Sequence, residues 1–433
     1  MPSDGHFLFL GNQDLNGILR GRSVPKARVA EAMAEGLPWV PANLTIGALN
    51  GLPPDTPFGP LGEIRFVPDP AARITLGAQD GGPAFDLALC DARQMDGAPW
   101  ACCPRTALKS AISDLSRRTG LTLKVALEHE FTVLGLNQPN HVAFSLSAGR
   151  AIAPLAQRVI DVLDRAGIAL EQFQAEYGAS QFEISSVPTD PLTAADRTVL
   201  TLETIRDTAR GMGLRASFLP KPALDEVGNG VHIHFSLWDG PRNVTADQDW
   251  LTPRSAPFVA GVLDHAESLL PLTILSANSY ARVRPHSWVG AYTCVGLRNR
   301  EAMIRLVPRA PASDGTHPKA SLEYRVCDAT ANIYLALAAI IRAGLAGIAA
   351  GSAAPPNVQH DPDTLEPSQR TAWNIRPLPA SLSEALTPSA LADASAWLGP
   401  ELASVYFGCR RHDARQAADH TFDELAAKLS LVY

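Results

Sequence analysis

Acidic, imidazole and guanidinium side chains recur on one face of five segments whose other face is apolar. In TLKVALEHEFTV (122–133), alternation groups Leu123, Val125, Leu127, His129, Phe131 and Val133, with Glu128 and Glu130 opposite. GVHIHFSL sets His232, His234 and Ser236 against Val231, Ile233, Phe235 and Leu237, and QFEIS sets Gln181, Glu183 and Ser185 against Phe182 and Ile184. In LEYRVCD, Glu323 and Arg325 oppose Leu322, Tyr324 and Val326; in EAMIRLV, Glu301 and Arg305 oppose Ala302, Ile304 and Leu306. One such segment is what any antiparallel sheet with a wet face shows. Paired Glu, paired His and Glu beside Arg are another matter. Neighbouring carboxylates repel, more strongly as water is removed, and need a cation between them. Glutamate and histidine without thiolates suit a hard divalent ion, Mg²⁺ or Mn²⁺, better than a structural zinc. The loop NSYARVRPHSW (278–288) adds Arg282 and Arg284 before a proline turn, and Arg298 and Arg300 follow it. Guanidinium groups grip carboxylate and phosphate in a planar, two-pronged way. The residues alone point to a curved sheet whose concave face takes metal ions and at least two anionic groups. No GxxxxGK[ST] run or strand–GxGxxG–helix unit occurs, so a nucleotide here would be held by metals and side chains.

The elements that must position these groups follow from the rest of the chain. The 433 residues are 46% apolar and 19% charged, a folded globular composition with room for two domains. With 37 basic against 44 acidic residues and no basic run, nucleic acid is not the expected partner. The N-terminus lacks the basic and apolar regions of a secretory leader, and the apolar run from Ala331 to Ile341 stops at Arg342, too short to span a bilayer. Six cysteines without a CxxC pair read as free thiols in a reducing cytosol. Residues 6–35 read as a strand, a turn at Gly21 and a helix; 37–99 are rich in Pro and Gly with short apolar pieces, fitting a small β-containing domain. PRTALKSAISDLSRRTG then has helical period and ends at a glycine. The expected boundary lies there, giving domains 1–99 and 100–433. Strands and helices alternate to about 350, a Pro-rich stretch (352–379) interrupts, and helices finish the chain.

ALEHEF, EYGASQFE, FLPKPALDEVGNGVHIHFS, NSYARVRP, NREAMIR and LEYRVCDATANIYLALAA occur in an order and at a spacing that resemble the glutamine synthetase family. The resemblance is good over about 90–350 and extends weakly through DLNGILRGR (14–22). It implies an α+β fold: a small β-grasp-like N-terminal domain, and a large catalytic domain on a curved antiparallel sheet flanked by helices. It also implies a ring of subunits, commonly two stacked hexamers, with each active site between neighbours. By the same resemblance, Glu130, Glu176 and Glu183 match the ligands of one divalent metal, and Glu128, His232 and Glu323 those of a second, with two to three ions per site clamping ATP. Arg282, Arg325 and Gly228 match contacts to glutamate, which Glu130 and Arg300 also border. Arg300 and Arg305 match arginines beside the transferred phosphoryl group. His234 and Ser236 match the strand along the nucleotide, which Arg305 also reaches. Glu171, Asp190, His129 and His265 match nothing and read as surface or core residues; Lys221 reads equally as a turn residue, and His286 as part of its loop.

Departures from the family pattern concern the acceptor. Glutamine synthetases carry a glutamate six residues beyond the arginine of NSYxR, which helps bind ammonium and remove its proton; here that position is Trp288. Tryptophan can neither take a proton nor offset a cation with full charge. The family's N-terminal Asp-Gly-Ser-Ser run is absent between 37 and 70, where ANLTIGALNG has no acid. Ser321 stands where an arginine often lies near the nucleotide phosphates, with Lys319 or Lys221 as candidate replacements, and the absence of tyrosine from 352–378 argues against nucleotidylation there. The expectation is a γ-glutamyl–amine ligase using glutamate, ATP and a small organic amine, with Trp288 in the acceptor pocket. With no acid evident in that pocket, a monoamine or aromatic amine is favoured over a polyamine. The alternatives are an ammonium-using glutamine synthetase and a catalytically silent relative, which would have no physical need for the charge cluster.

Overall fold

The computed structural model describes residues 7–77, 84–138, 141–247, 250–308 and 320–433. Lys319 and the first six residues lie outside them. Strands β1 (Phe7–Gln13), β2 (Leu19–Pro25), β3 (Leu37–Trp39), β4 (Ile64–Leu76) and β5 (Phe85–Arg93) form an N-terminal sheet in the order β2-β1-β5-β4-β3, with β1 and β5 parallel. Helix α1 (Val29–Glu35) packs on β4. The expected turn at Gly21 is not there. The chain turns at 14–18, where the Asp14 carboxylate accepts from the Asn16 and Ile18 N–H groups at 2.8 and 2.9 Å. Gly21 is mid-strand, opposite Gly11, and a Cβ on it would run into the Leu10 carbonyl. Close backbone approach, not a turn, is why glycine is needed.

Helix α2 (Pro104–Thr119) opens on Pro104 and closes at Gly120, whose φ of 72° lets its N–H reach Ser116 O. Beyond it, β6 (Leu121–Leu134), β7 (Leu170–Ala175), β8 (Gln181–Ser186), β9 (Arg215–Ser217), β10 (Val231–Asp239) and β11 (Arg242–Asn243) belong to the main sheet. Two short strands, β12 (Ala246–Asp247) and β13 (Trp250–Leu251), pair with each other, and β14 (Tyr292–Leu297), β15 (Ala302–Val307) and β16 (Ser321–Tyr324) complete the main sheet. Its order is β14-β15-β16-β10-β6-β8-β7, so the five segments with charge on one face are consecutive neighbours. One edge departs from the antiparallel expectation: β14 runs parallel to β15.

Behind this sheet lie α3 (Leu146–Arg165), α4 (Pro191–Gly211), α5 (Ala256–Asp264), α6 (Ala266–Thr273), the single turn α7 (Ala277–Tyr280) and α8 (Ile333–Ala350). On the apolar face of β6, Leu123, Val125, Leu127, Phe131 and Val133 are buried, and His129 with them. Contrary to the sequence reading, α8 runs on past Arg342 and is long and apolar enough to cross a bilayer, but 72% of it is buried and it packs on α2, α4, α5 and α6. Arg342 turns out of that core to pair with Asp114. Helices α9 (Pro367–Ala372), α10 (Leu382–Ala385), α11 (Pro388–Leu398), α12 (Pro400–Ala418) and α13 (Phe422–Leu429) finish the chain.

Buried polar contacts join the N-terminal sheet to the rest. Arg105, fully buried on α2, reaches Asp69 on β4 (3.0 Å), Asp91 on β5 (2.6 Å) and Asp196 on α4 (2.7 Å), and Tyr334 on α8 donates to Asp196. Asn16 accepts from Arg410 and from the Tyr433 hydroxyl, and Asn332 donates to the carbonyls of Gln13 and Asp14.

Candidate active site

Strand register stacks the charged residues into three cross-strand rows. Arg305 faces Glu323, which faces His234; His232 faces Glu128, which faces Ser185; Glu130 faces Glu183. Like charges directly opposite one another destabilise a sheet, so the Glu130–Glu183 pair costs stability unless a cation joins it. Glu176, just past β7, adds a third carboxylate; Gln174 donates to it at 2.6 Å and to Glu183 at 3.1 Å, with Gln172 at 3.3 Å from Glu183.

The imidazoles sit between carboxylates. His232 Nδ1 is 3.2 Å from Glu128 and 3.5 Å from Glu323, and its Nε2 is 3.8 Å from Glu130. His234 Nε2 is 3.0 Å from Glu128 and 3.9 Å from Glu323. The titration behaviour divides in two. Burial, then the charges of Glu128, Glu130 and Glu176, push Glu183 up to about 9, and burial also raises Glu176. Glu323 is buried too, but Arg325, His232, His234 and Arg305 outweigh that and bring it down to about 2; Glu128 is lowered against its burial by His232 and His234. Cationic groups outweigh burial at Glu323 and Glu128, whereas at Glu183 and Glu176 burial and the neighbouring carboxylates prevail. A hard divalent ion fits the side of Glu183 and Glu176, and two triads, Glu128–His234–Glu323 and Glu128–Glu183–His232, already bring their ligand atoms within 4.8 Å of one another. His234, matched by resemblance to the nucleotide strand, is thus also part of this cluster.

The arginines lie along one side. Arg282 is buried, with Nη2 donating to the carbonyls of Val326 and Cys327. Gly228 lies against its aliphatic stem, and a Cβ there would collide with Pro220 O and crowd Arg282 Cδ, so only glycine lets that backbone approach. Arg325 pairs with Glu323 through Nη1, donates through Nε to Arg300 O (3.1 Å) and through Nη2 to Trp288 O (2.6 Å). Arg305 pairs with Glu323 through Nε. Arg300 is exposed, and its backbone, through that carbonyl, is what the structure ties to the cluster. Lys221 reaches the Glu226 carbonyl within its turn, and His286 lies between Asp361 (3.0 Å) and Asp363 (3.3 Å).

A cleft of about 430 Å³ opens from Glu128, His234 and Arg305 past Ser236 toward Lys124 and Trp238. Ser236 Oγ accepts from Trp238 Nε1 at 2.9 Å, and Lys124 Nζ lies 3.9 Å from the centre of the Trp238 ring. Sequence reasoning missed Lys124 and Trp238, although following the charged face of β6 two positions beyond Ala126 reaches Lys124. Glu171, read as surface or core, is exposed and lines the same cleft. The other unmatched residues fit that reading: His129 is in the core, Asp190 caps α4 and His265 pairs with Asp393.

Trp288 stands at the end of the arginine loop with φ 57° and is 64% exposed. Its main chain is gripped on both sides, by Arg325 at the carbonyl and by Glu301, whose Oε1 accepts the Trp288 N–H at 3.0 Å.

An acidic face able to hold cations, adjoining arginines and a side cleft are what an ATP-dependent ligase of the glutamine synthetase type requires. The family model for the glutamine synthetase catalytic domain matches residues 101–425, and that for the glutamine synthetase N-terminal domain matches 6–100. The chain belongs to the glutamine synthetase family. It is 34% identical to the γ-glutamylpolyamine synthetase GlnA3 of Streptomyces coelicolor over 98% of this chain and 92% of that protein, and 30% identical to the glutamine synthetase of Thermococcus kodakarensis over 88% and 83%. A solved structure described as a novel glutamine synthase homolog superimposes with a TM-score of 0.89 at 35% identity, covering 100% of this chain and 99% of that one. A GmaS/ADP complex shares the fold, with a TM-score of 0.81 at 24% identity over 96% and 95%.

Proposed function

We propose that this protein joins an organic amine to the γ-carboxylate of glutamate at the expense of ATP, through a γ-glutamyl phosphate. The observation that carries the reading is Trp288: an exposed indole stands, with its backbone fixed, where family members that use ammonium place a carboxylate. An aromatic face sheds water and attracts an alkyl chain or a cation. The similarity to a γ-glutamylpolyamine synthetase along nearly the whole chain supports an organic acceptor.

In this reading Arg282, Arg325 and the Gly228 backbone hold glutamate beside Glu130. Arg300 and Arg305 offset the charge spread over the phosphoryl group as the γ-carboxylate attacks it. His234 and Ser236 line the nucleotide cleft, with Arg305 at its inner end. Divalent ions, Mg²⁺ or Mn²⁺ and two to three per site, would be held by Glu128, Glu130, Glu176, Glu183, His232 and Glu323, and would neutralise the acidic face and polarise the phosphates. All six cysteines are buried and free, in keeping with work in a reducing cytosol. A ring of subunits, with two hexamers as the expected form, belongs to the same reading, as does a domain junction near residue 100.

The test is phosphate release from ATP with glutamate, Mg²⁺ and a panel of acceptors: ammonium, alkylamines, ethanolamine, putrescine, spermidine and aniline. A strong signal with an organic amine and little with ammonium is expected. Ammonium as the best acceptor would make the protein a glutamine synthetase with Trp288 as packing. Silence throughout would mean another acid substrate or a lost reaction.

A further inference from the structure

Family members that use ammonium place a carboxylate on the arginine loop, and this chain has an indole there. The fold nevertheless brings a carboxylate from another element to the main chain of that loop position. Glu301, at the entrance to β15, turns toward the loop and accepts the Trp288 N–H at 3.0 Å. The carbonyl of the same Trp288 accepts from Arg325, which also pairs with the cluster residue Glu323. Glu301 is therefore one residue's width from a guanidinium that the ligase reading assigns to glutamate. It is half-buried, so its charge is only partly screened by water.

We propose that Glu301 selects the acceptor: its carboxylate receives the ammonium group of a protonated alkylamine beside Trp288 and takes the proton that makes it nucleophilic. This deepens, and rests on, the ligase reading above. The balance is simple. R–NH₃⁺ gives a proton to the Glu301 carboxylate, and the freed lone pair attacks the γ-carbonyl carbon of γ-glutamyl phosphate. The bond from that carbon to the bridging oxygen breaks, phosphate leaves with the electron pair, and the second amine proton goes to phosphate. Glu301 returns its proton to water. An exposed indole attracts a cation, and a carboxylate bonded to the main chain of the same residue adds negative charge beside it. An arylamine is neutral at physiological pH and gains nothing from that charge, so the site favours alkylamines, including polyamines, over the aromatic amines that the sequence alone left in favour.

The groups facing Glu301 agree with a proton-accepting role. Burial raises its pKa above the ordinary carboxylate value; the N–H groups of Trp288 and His286 oppose that, Asp361 adds to it, and the His286 ring opposes it weakly. A carboxylate raised in this way is a better base near neutrality. His286 is itself engaged by Asp361 and Asp363.

The experiment compares wild type with Glu301→Gln and Glu301→Ala, varying an alkylamine, aniline, glutamate and ATP in turn. Glutamine keeps an oxygen to accept the Trp288 N–H but loses the charge. Glu301→Gln is expected to raise KM for the alkylamine about tenfold or more, the scale of a lost charged hydrogen bond, with KM for glutamate and ATP little changed. The ratio of alkylamine to aniline activity should fall by a similar factor. Raising the pH, which supplies neutral amine, should recover much of the loss. If Glu301→Gln behaves as wild type while Glu301→Ala is impaired, Glu301 only props the loop and the inference is wrong. If wild type uses no organic amine at all, the ligase reading itself has failed.

Discussion

Glu183 and Glu130 face each other across β8 and β6, and the charges of Glu128 and Glu176 add to the negative charge around Glu183. With its folded pKa near 9 against an ordinary 4.5, Glu183 takes up a proton on folding. Its contribution to stability is whole below about 4.5 and is lost as pH rises toward 9. Metal-free protein should therefore lose thermal stability across that window, Glu183→Gln should lessen the loss, and saturating Mg²⁺ should reverse it in wild type but much less in the variant. Melting curves with and without chelator decide this; a variant indistinguishable from wild type would remove Glu183 from the cation site. Glu323 works in the opposite sense: its pKa is lowered to about 2, so its contribution is present above about 4.5 and lost as pH falls toward 2. At the same scale, Arg282→Ala should raise KM for glutamate far more than KM for ATP, and equal effects would count against its assigned contact. The alternation of β6, β8 and β10 made these glutamates and histidines legible one strand at a time. What it could not show is which residue lies across from which, so the double involvement of His234 with Glu128 and Glu323 became visible only with the register.

At the scale of elements, the five charged-face strands were readable because one side of each is uniformly apolar, and they proved to be neighbours. Side-chain period carries no information on strand direction, which is why the parallel pairing of β14 with β15 was not foreseen. Gly21 misled for a related reason: glycine marks turns and close backbone approaches alike. Nor does periodicity reveal that α2 carries a buried arginine with partners on β4, β5 and α4. Removing one member of such a network strands the others, at a cost of about 3–5 kcal/mol. Arg105→Ala should lower the urea midpoint accordingly, and a loss below about 1 kcal/mol would show the network to be dispensable. A charge-free residue of similar length, as in Arg105→Met, should not rescue it while all three aspartates remain.

For the whole molecule, the isolated subunit exposes large apolar side chains at Leu52, Leu61, Met95, Phe144, Leu146 and Tyr177 as well as Trp288. Scattered surface apolar groups are ordinary, but the ring reading gives them a use at contacts between subunits. Sedimentation should then find a large assembly at micromolar concentration, with activity falling as dilution dissociates it; a fully active monomer would overturn the ring.

The Arg105 joint bears on how this protein could change over time or in the hands of an engineer. The N-terminal sheet matches a family model of its own, like a detachable module. Yet it contributes Asp69 and Asp91 to a cation that belongs to α2, and receives Asn332 at the backbone of Gln13 and Asp14. A graft bringing two aspartates to a scaffold without the arginine, or the arginine to a sheet without the aspartates, would inherit unpaired buried charge. Chimaeras cut near residue 100 should fold only when both halves of that ionic lock come from compatible parents, so the two halves are free to diverge in sequence but not to trade places.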